Sequence, residues 1–148
     1  LGLQQRIDDD YVKALREGDT TKKDTLRLLR AALHNEAIER HGGLDDDAVI
    51  AVLGKQAKQR RDAAEQFEAG GRPELAEQEL AELAIIESYL PAQLTDEEIE
   101  AEARAAIEAS GASGPSDMGK VMGPLMKSLA GRADGKKVSS IVRRLLTE

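Results

Sequence analysis

No cysteine occurs in the sequence, which removes disulfides, thiolate metal sites and a cysteine nucleophile at once. Tryptophan is missing too, and the aromatics come to two tyrosines and one phenylalanine. A core must therefore be filled by aliphatic side chains and alanine. Histidine occurs only as His34 and His41. Neither lies in a glycine-rich nucleophile turn, so a hydrolytic triad is not expected, and a zinc site would have too few good ligands. No run of about 18 apolar residues is present, and no charged-then-apolar start resembles a signal peptide. These absences lead to the expectation of a cytosolic protein with no membrane partner, no metal and no cofactor.

What is present favours helices. Charged residues make up 33% of the 148 positions, and a chain rich in Ala, Leu, Glu, Arg and Lys packs helix on helix rather than as sheets. At this length the chain forms one domain or two small ones. The net charge of −7 argues against wholesale nucleic-acid binding, and no DNA partner is expected. The charge is unevenly spread. From Met118 to Glu148 there are seven basic and two acidic side chains, a balance of +5 that leaves −12 for residues 1–117. Such asymmetry marks a basic end with its own anionic partner, or an ordinary solvated surface.

Helix punctuation divides the chain clearly. A first helix is expected from about Leu3 to Glu17, stopping near Gly18, and a second from about Thr21 to Arg40, ending before Gly42 and Gly43. Asp45, Asp46 and Asp47 open a third at the positive end of its dipole. Neighbouring aspartates fan out by about 100° each, so the three do not converge on a cation. Gly70 and Gly71 close the third helix, and Pro73 suits the first position of a fourth. Pro91 ends that one, because the residue before a proline is pushed out of helical geometry. "LTDEEI" then supplies a capping box, with Thr95 as N-cap and Glu98 three residues on. The rest reads as helix 96–109, a loop 110–116, helical pieces 117–130, a turn 131–135 and a last helix 136–146. The expected architecture is all-α, with an N-terminal helical hairpin domain over residues 1–91 and a small C-terminal helical domain over 95–148.

One polar set interrupts the apolar stripes. Val49, Leu53, Ala64 and Phe67 share a face of the third helix, and Gln56 and Arg60 fall in its middle. On the fourth, Leu75, Leu83, Ile86 and Leu90 form a stripe with Glu79 at its centre. A buried charge without a partner is very costly. Arg60 is therefore expected to meet Glu79, with Gln56 satisfying its remaining donors. Lys55, Lys58 and Arg61, near Lys22 and Lys23, read as a solvated face.

"GRADGKK" (131–137) crowds glycine and lysine as phosphate loops do, but fails as one. Gly131 and Gly135 are separated by three residues instead of four, Lys136 is followed by Lys137, and no strand precedes. A helix cap and a turn explain these glycines.

"KKDTLRLLRAALHNE" (22–36), "KQAKQRRDAAEQFEAGGRPELAEQELAELAIIESYLPAQLTDEEI" (55–99) and "DMGKVMGPLMKSLAGRADGKKVSSIVRRLL" (117–146) together resemble the GatB/YqeY family, specifically its small stand-alone YqeY-like members. The resemblance implies an all-helical, two-part protein. It makes the C-terminal part similar to the tail of the GatB subunit of the tRNA-dependent amidotransferase, which helps hold the tRNA body. The matching positions are Gly119, Met126, Lys127, Gly131, Ala133 and the stripe Val138, Ile141, Val142 and Leu145. Pro124 departs from the pattern and leaves open whether 117–130 is one helix or two short ones meeting near Gly123. The kinase-like cradle of GatB has no counterpart, so no intrinsic activity is expected.

The last helix speaks to the tRNA idea independently. Val138, Ile141, Val142 and Leu145 lie on one side, and Lys136, Lys137, Arg143 and Arg144 project roughly opposite. A basic face of this kind suits shape-directed contact with backbone phosphates. The expected function is a non-catalytic module that binds structured RNA, tRNA in particular, through Lys120, Lys127, Arg132, Lys136, Lys137, Arg143 and Arg144. The alternatives are a helical protein-interaction module, whose acidic N-terminal hairpin docks a partner, and an accessory to glutamine-dependent carbon–nitrogen ligase activity.

Overall fold

The computed structural model describes residues 2–129 and 131–148. Among them are seven α-helices and no strand: α1 (Leu3–Glu17), α2 (Thr20–Arg40), α3 (Asp46–Ala69), α4 (Pro73–Glu87), α5 (Asp96–Ser110), α6 (Met118–Leu129) and α7 (Gly135–Leu146), with a short 3-10 turn at Pro115–Asp117. The fold is all-α. The chain divides into two compact units, Leu1–Leu90 and Pro91–Glu148.

Local chemistry sets the helix ends. The Asp19 and Asp45 side chains accept from the backbone N–H groups of Lys22 and Ala48 and cap α2 and α3. Asp46 accepts from Leu3 N–H at 2.9 Å, so two of the three consecutive aspartates are spent on helix starts. Thr95 and Glu98 close the capping box of α5, each bond 3.1 Å long. Gly18 ends α1 in the left-handed region at φ 69°, where a side chain would cost about 1–2 kcal/mol. His41, not the following Gly42, takes the same conformation after α2, at φ 57°.

The N-terminal unit consists of two helical hairpins. α3 packs along α4, α1 along α2, and α2 bridges to both α3 and α4. Ile7, Leu26, Leu29, Leu33, Leu53 and Ile86 are completely or almost completely buried at the centre. Tyr89 joins them from beyond the end of α4 and pins α1. Its hydroxyl donates to Asp10 at 2.5 Å, and the Arg6 guanidinium lies 4.8 Å from its ring centroid. Arg6 also donates to the Ser88 carbonyl.

The C-terminal unit packs α5 against α6 and α7 over Ile99, Val121, Leu125, Leu129, Val138 and Val142. α6 is one helix that runs through Pro124. A proline inside a helix costs about 3 kcal/mol. Val121, Leu125 and Leu129 are buried on either side of it, and about 1.5–3 kcal/mol for each such side chain outweighs that cost. The last residue of the expected helical segment, Ala130, lies outside the described residues. The segment after Pro91 is tied into this unit, because Leu94 N–H donates to the Arg132 carbonyl at 2.8 Å and the Gln93 amide donates to that of Gly131.

Candidate nucleic-acid interface

α7 carries its four cations in two rows, and the rows have different surroundings. Lys137 and Arg144 are seven residues apart and face α5, where Asp96 and Glu100 are four apart. Lys137 reaches Asp96 at 2.9 Å and Arg144 reaches Glu100 at 3.1 Å. Arg104 joins Glu100 at 2.9 Å, and Glu148 closes the group at 3.3 Å from Arg104 and 3.4 Å from Arg144. Two guanidiniums hold the Glu100 carboxyl below the usual carboxylate range, the hydrogen bond from Arg104 first and that from Arg144 second. Lys136 and Arg143 form the other row, with Ser140 between them, roughly 100° further round the helix. Arg143 is exposed and pairs with no acidic side chain among the described residues.

The other basic positions are similarly divided. Lys120 pairs with Asp117 at 3.5 Å. Arg132 is half-buried, and its Nε donates to the Leu129 carbonyl at 3.1 Å, finishing the end of α6. Lys127 is exposed with no ion pair among the described residues. The nine acidic and eight basic side chains of residues 91–148 nearly cancel. The +5 balance of the C-terminal stretch is therefore offset within its own unit by the acidic start of α5.

Arg60 lies in the N-terminal unit, only 8% exposed. Its Nη1 donates to Gln56 Oε1 at 2.6 Å. The carboxylate at ion-pair distance is Glu82, at 3.9 Å, in place of the expected Glu79. Both glutamates line one small cavity with Arg60 and Leu28. They are three residues apart on α4, so helical periodicity puts both on the Arg60 side, and the offset between helices selects one. Burial, then the charge of Glu82, raises the Glu79 carboxyl above the ordinary value, while Arg60 pulls the other way.

A second basic row, on α2, is absent from the residues expected from sequence although its spacing is regular. Lys23, Arg27, Arg30 and His34 recur at i, i+4, i+7 and i+11 and fall within about 60° of one another. Among the described residues, no group of three or more acidic or histidine side chains is placed to hold a metal, and no helix is long and apolar enough to cross a membrane.

Residues 4–146 match the model of a family described as Yqey-like protein. Curated relatives share one name, "Altered inheritance of mitochondria protein 41, mitochondrial". That of Pyrenophora tritici-repentis is 28% identical over 145 residues, covering 95% of this chain and 79% of the relative. Those of Eremothecium gossypii and Lachancea thermotolerans are 34% and 35% identical over 87 and 82 residues, covering 58% and 55% of this chain. These two matches span about half the length of the relatives concerned, 48% and 44%. The names correct the cytosolic expectation, since each places its bearer in mitochondria. Lack of cysteine and a helical composition suit either compartment, so neither discriminates between them.

Proposed function

Because the chain belongs to the YqeY-like family, we propose that it is a non-catalytic binding module whose C-terminal unit holds structured RNA, tRNA in particular, along the outward row of α7. The observation that carries this reading is the split of α7: Lys137 and Arg144 are engaged by α5, while Arg143 stands clear of it. Lys136 and Lys127 extend the cationic surface. All three aromatic residues lie before residue 90, so the C-terminal unit offers no platform for stacking bases. Contact is with the phosphate backbone and is salt-sensitive.

Binding of tRNA over a salt series tests it. The double variant Lys136→Glu, Arg143→Glu is expected to weaken binding and to flatten the slope of log affinity against log salt by about 0.7–0.9 for each phosphate no longer neutralised. No binding at low salt, or indifference to that variant, would sink the reading. In this view a link to glutamine-dependent amidation is an accessory one, and omission of the chain from a reconstituted reaction tests it.

A second reading rests on a different surface. Val12 and Leu15 are exposed three residues apart on α1, which favours a protein partner for the first hairpin. A partner that co-purifies after nuclease treatment and is lost in Val12→Ser, Leu15→Ser supports this alternative.

A further inference from the structure

Between α1 and α2 lies a cleft of about 390 Å³, whose polar lining is Gln4 and Asp8 from α1 and Arg27, Arg30 and His34 from α2. Arg30 is fixed twice. Its Nε donates to Asp8 Oδ1 at 2.8 Å, and its guanidinium carbon lies over the Tyr11 ring, 4.5 Å from the centroid. Those contacts use one edge and one face of the group. The two terminal nitrogens have no hydrogen-bond partner among the described residues. Arg27 stands one turn away, 3.7 Å from Asp24, and is engaged chiefly by the Tyr11 hydroxyl, which leaves its remaining donors for the cleft. The Gln4 amide and the His34 imidazole have no hydrogen-bond partner among the described residues.

A guanidinium held by its Nε and its face presents a preorganised fork of donors. Here that fork shares one cleft with a second guanidinium, an amide and an imidazole. Asp8 is already engaged by Arg30 and acts as a positioning group, not as a competitor for the fork. The donors outnumber what the two oxygens of a carboxylate accept, whereas a phosphate has oxygens enough for all four side chains. We propose that the α1–α2 cleft binds a phosphate group, with Arg30 as its bidentate anchor and Arg27, His34 and Gln4 completing the shell. The phosphate of a small metabolite and a backbone phosphodiester share this chemistry. The inference is independent of the α7 surface.

The test uses the full chain and sodium pyrophosphate, followed by NMR of the Gln4 side-chain amide and the His34 ring. Saturable shifts of both are expected. Arg30→Gln and Arg27→Gln should each weaken binding by roughly tenfold or more, as removal of one charge-assisted hydrogen bond does. Arg30→Lys, which keeps the charge and loses the fork, should fall between. Lys55→Gln, on the exposed side of α3, should bind like wild type. If the arginine variants destabilise the hairpin through Asp8 or Tyr11, Gln4→Ala, whose side chain has no hydrogen-bond partner among the described residues, still decides. It should weaken binding read from the His34 ring, and unchanged binding counts against the cleft. Shifts that never saturate, or arginine variants that bind as wild type does, overturn the assignment. A parallel tRNA titration separates the two sources. Weakened tRNA binding in Arg30→Gln assigns the cleft to a nucleic-acid phosphate, and unchanged tRNA binding with weakened pyrophosphate binding assigns it to a small phosphorylated molecule.

Discussion

In the N-terminal unit a cation is taken into the helix packing. Arg60 is held between Gln56 on its own helix and Glu82 on α4. In the C-terminal unit the ion pairs between helices stay outside, with Lys137–Asp96 and Arg144–Glu100 a third to two thirds exposed. The cores differ in the same sense. The first is built on leucines and isoleucines and uses Tyr89 as a polar pin, while the second is smaller, has no aromatic, and is edged by three half-buried methionines. A buried ion stripped of its partner is strongly destabilising, whereas an exposed pair is nearly neutral. Polar residues of the first unit therefore hold helix register, and those of the second mainly decide which cations of α7 are engaged by α5.

The sharpest way to break this contrast is to truncate one cation in each unit. Arg60→Ala leaves Glu82 and Glu79 facing each other without a counter-charge and should cost about 3–5 kcal/mol. Arg144→Ala should leave the unfolding midpoint of the C-terminal unit close to wild type. Urea unfolding with amide signals resolved for each unit measures both. Equal destabilisation would show that location of the charge is not what matters. A smaller effect is expected from Tyr89→Phe. The ring stays in the core, but Asp10 loses its donor, at about 1–2 kcal/mol, and protection of the α1 amides falls with it.

Thr25 offers a change of opposite sign. It is 1% exposed, and its hydroxyl has no hydrogen-bond partner among the described residues. Thr25→Val keeps the shape and removes the buried polar atom, so stability should be unchanged or rise by up to about 1 kcal/mol. A clear loss in thermal denaturation would mean that the hydroxyl is satisfied in solution.

How much of this was legible from sequence depends on how far the information has to travel. Helix ends are written locally: Gly18, Asp45, Pro73 and the Thr95–Glu98 box each act within four residues, and the observed helices begin and end near those signals. Arg60 could be placed on a buried face for the same reason. The choice of Glu82 over Glu79 could not, because three residues amount to about 4.5 Å of sliding along the helix axis. Nothing in a single helix records that offset. The α7 face shows the same limit. A helical wheel displays four cations together, but only the position of α5 reveals that Asp96 and Glu100 take two of them. Pro124 left the question of one helix or two open for the same reason, since local chemistry favours a break and only the buried neighbours on both sides hold α6 together.

The smallest expected effect is a divergence of the two units with pH. Glu100 is held below the usual carboxylate range by Arg104 and Arg144, and Asp117 by the Ser113 backbone N–H first, with Lys120 adding to it. A carboxylate lowered by folding contributes stability that is complete above its unfolded value and is lost as pH falls through the folded one. Glu79 is raised instead, by burial and by Glu82. The folded N-terminal unit therefore binds that proton more tightly than the unfolded chain does. The cost of keeping Glu79 ionised is present at neutral pH and is relieved as pH falls through its raised value. Between pH 7 and about 3, protection of α5–α7 amides, corrected for intrinsic exchange, should decline relative to that of α3–α4, first as Glu79 is relieved and then as Glu100 and Asp117 are protonated. Glu100→Gln should reduce the decline in the C-terminal unit, and Glu79→Gln should remove the relief in the N-terminal one. If both variants track wild type across that range, these carboxylates do not set the acid response of their units. The contrast between the units would then rest on Arg60 and Tyr89 alone.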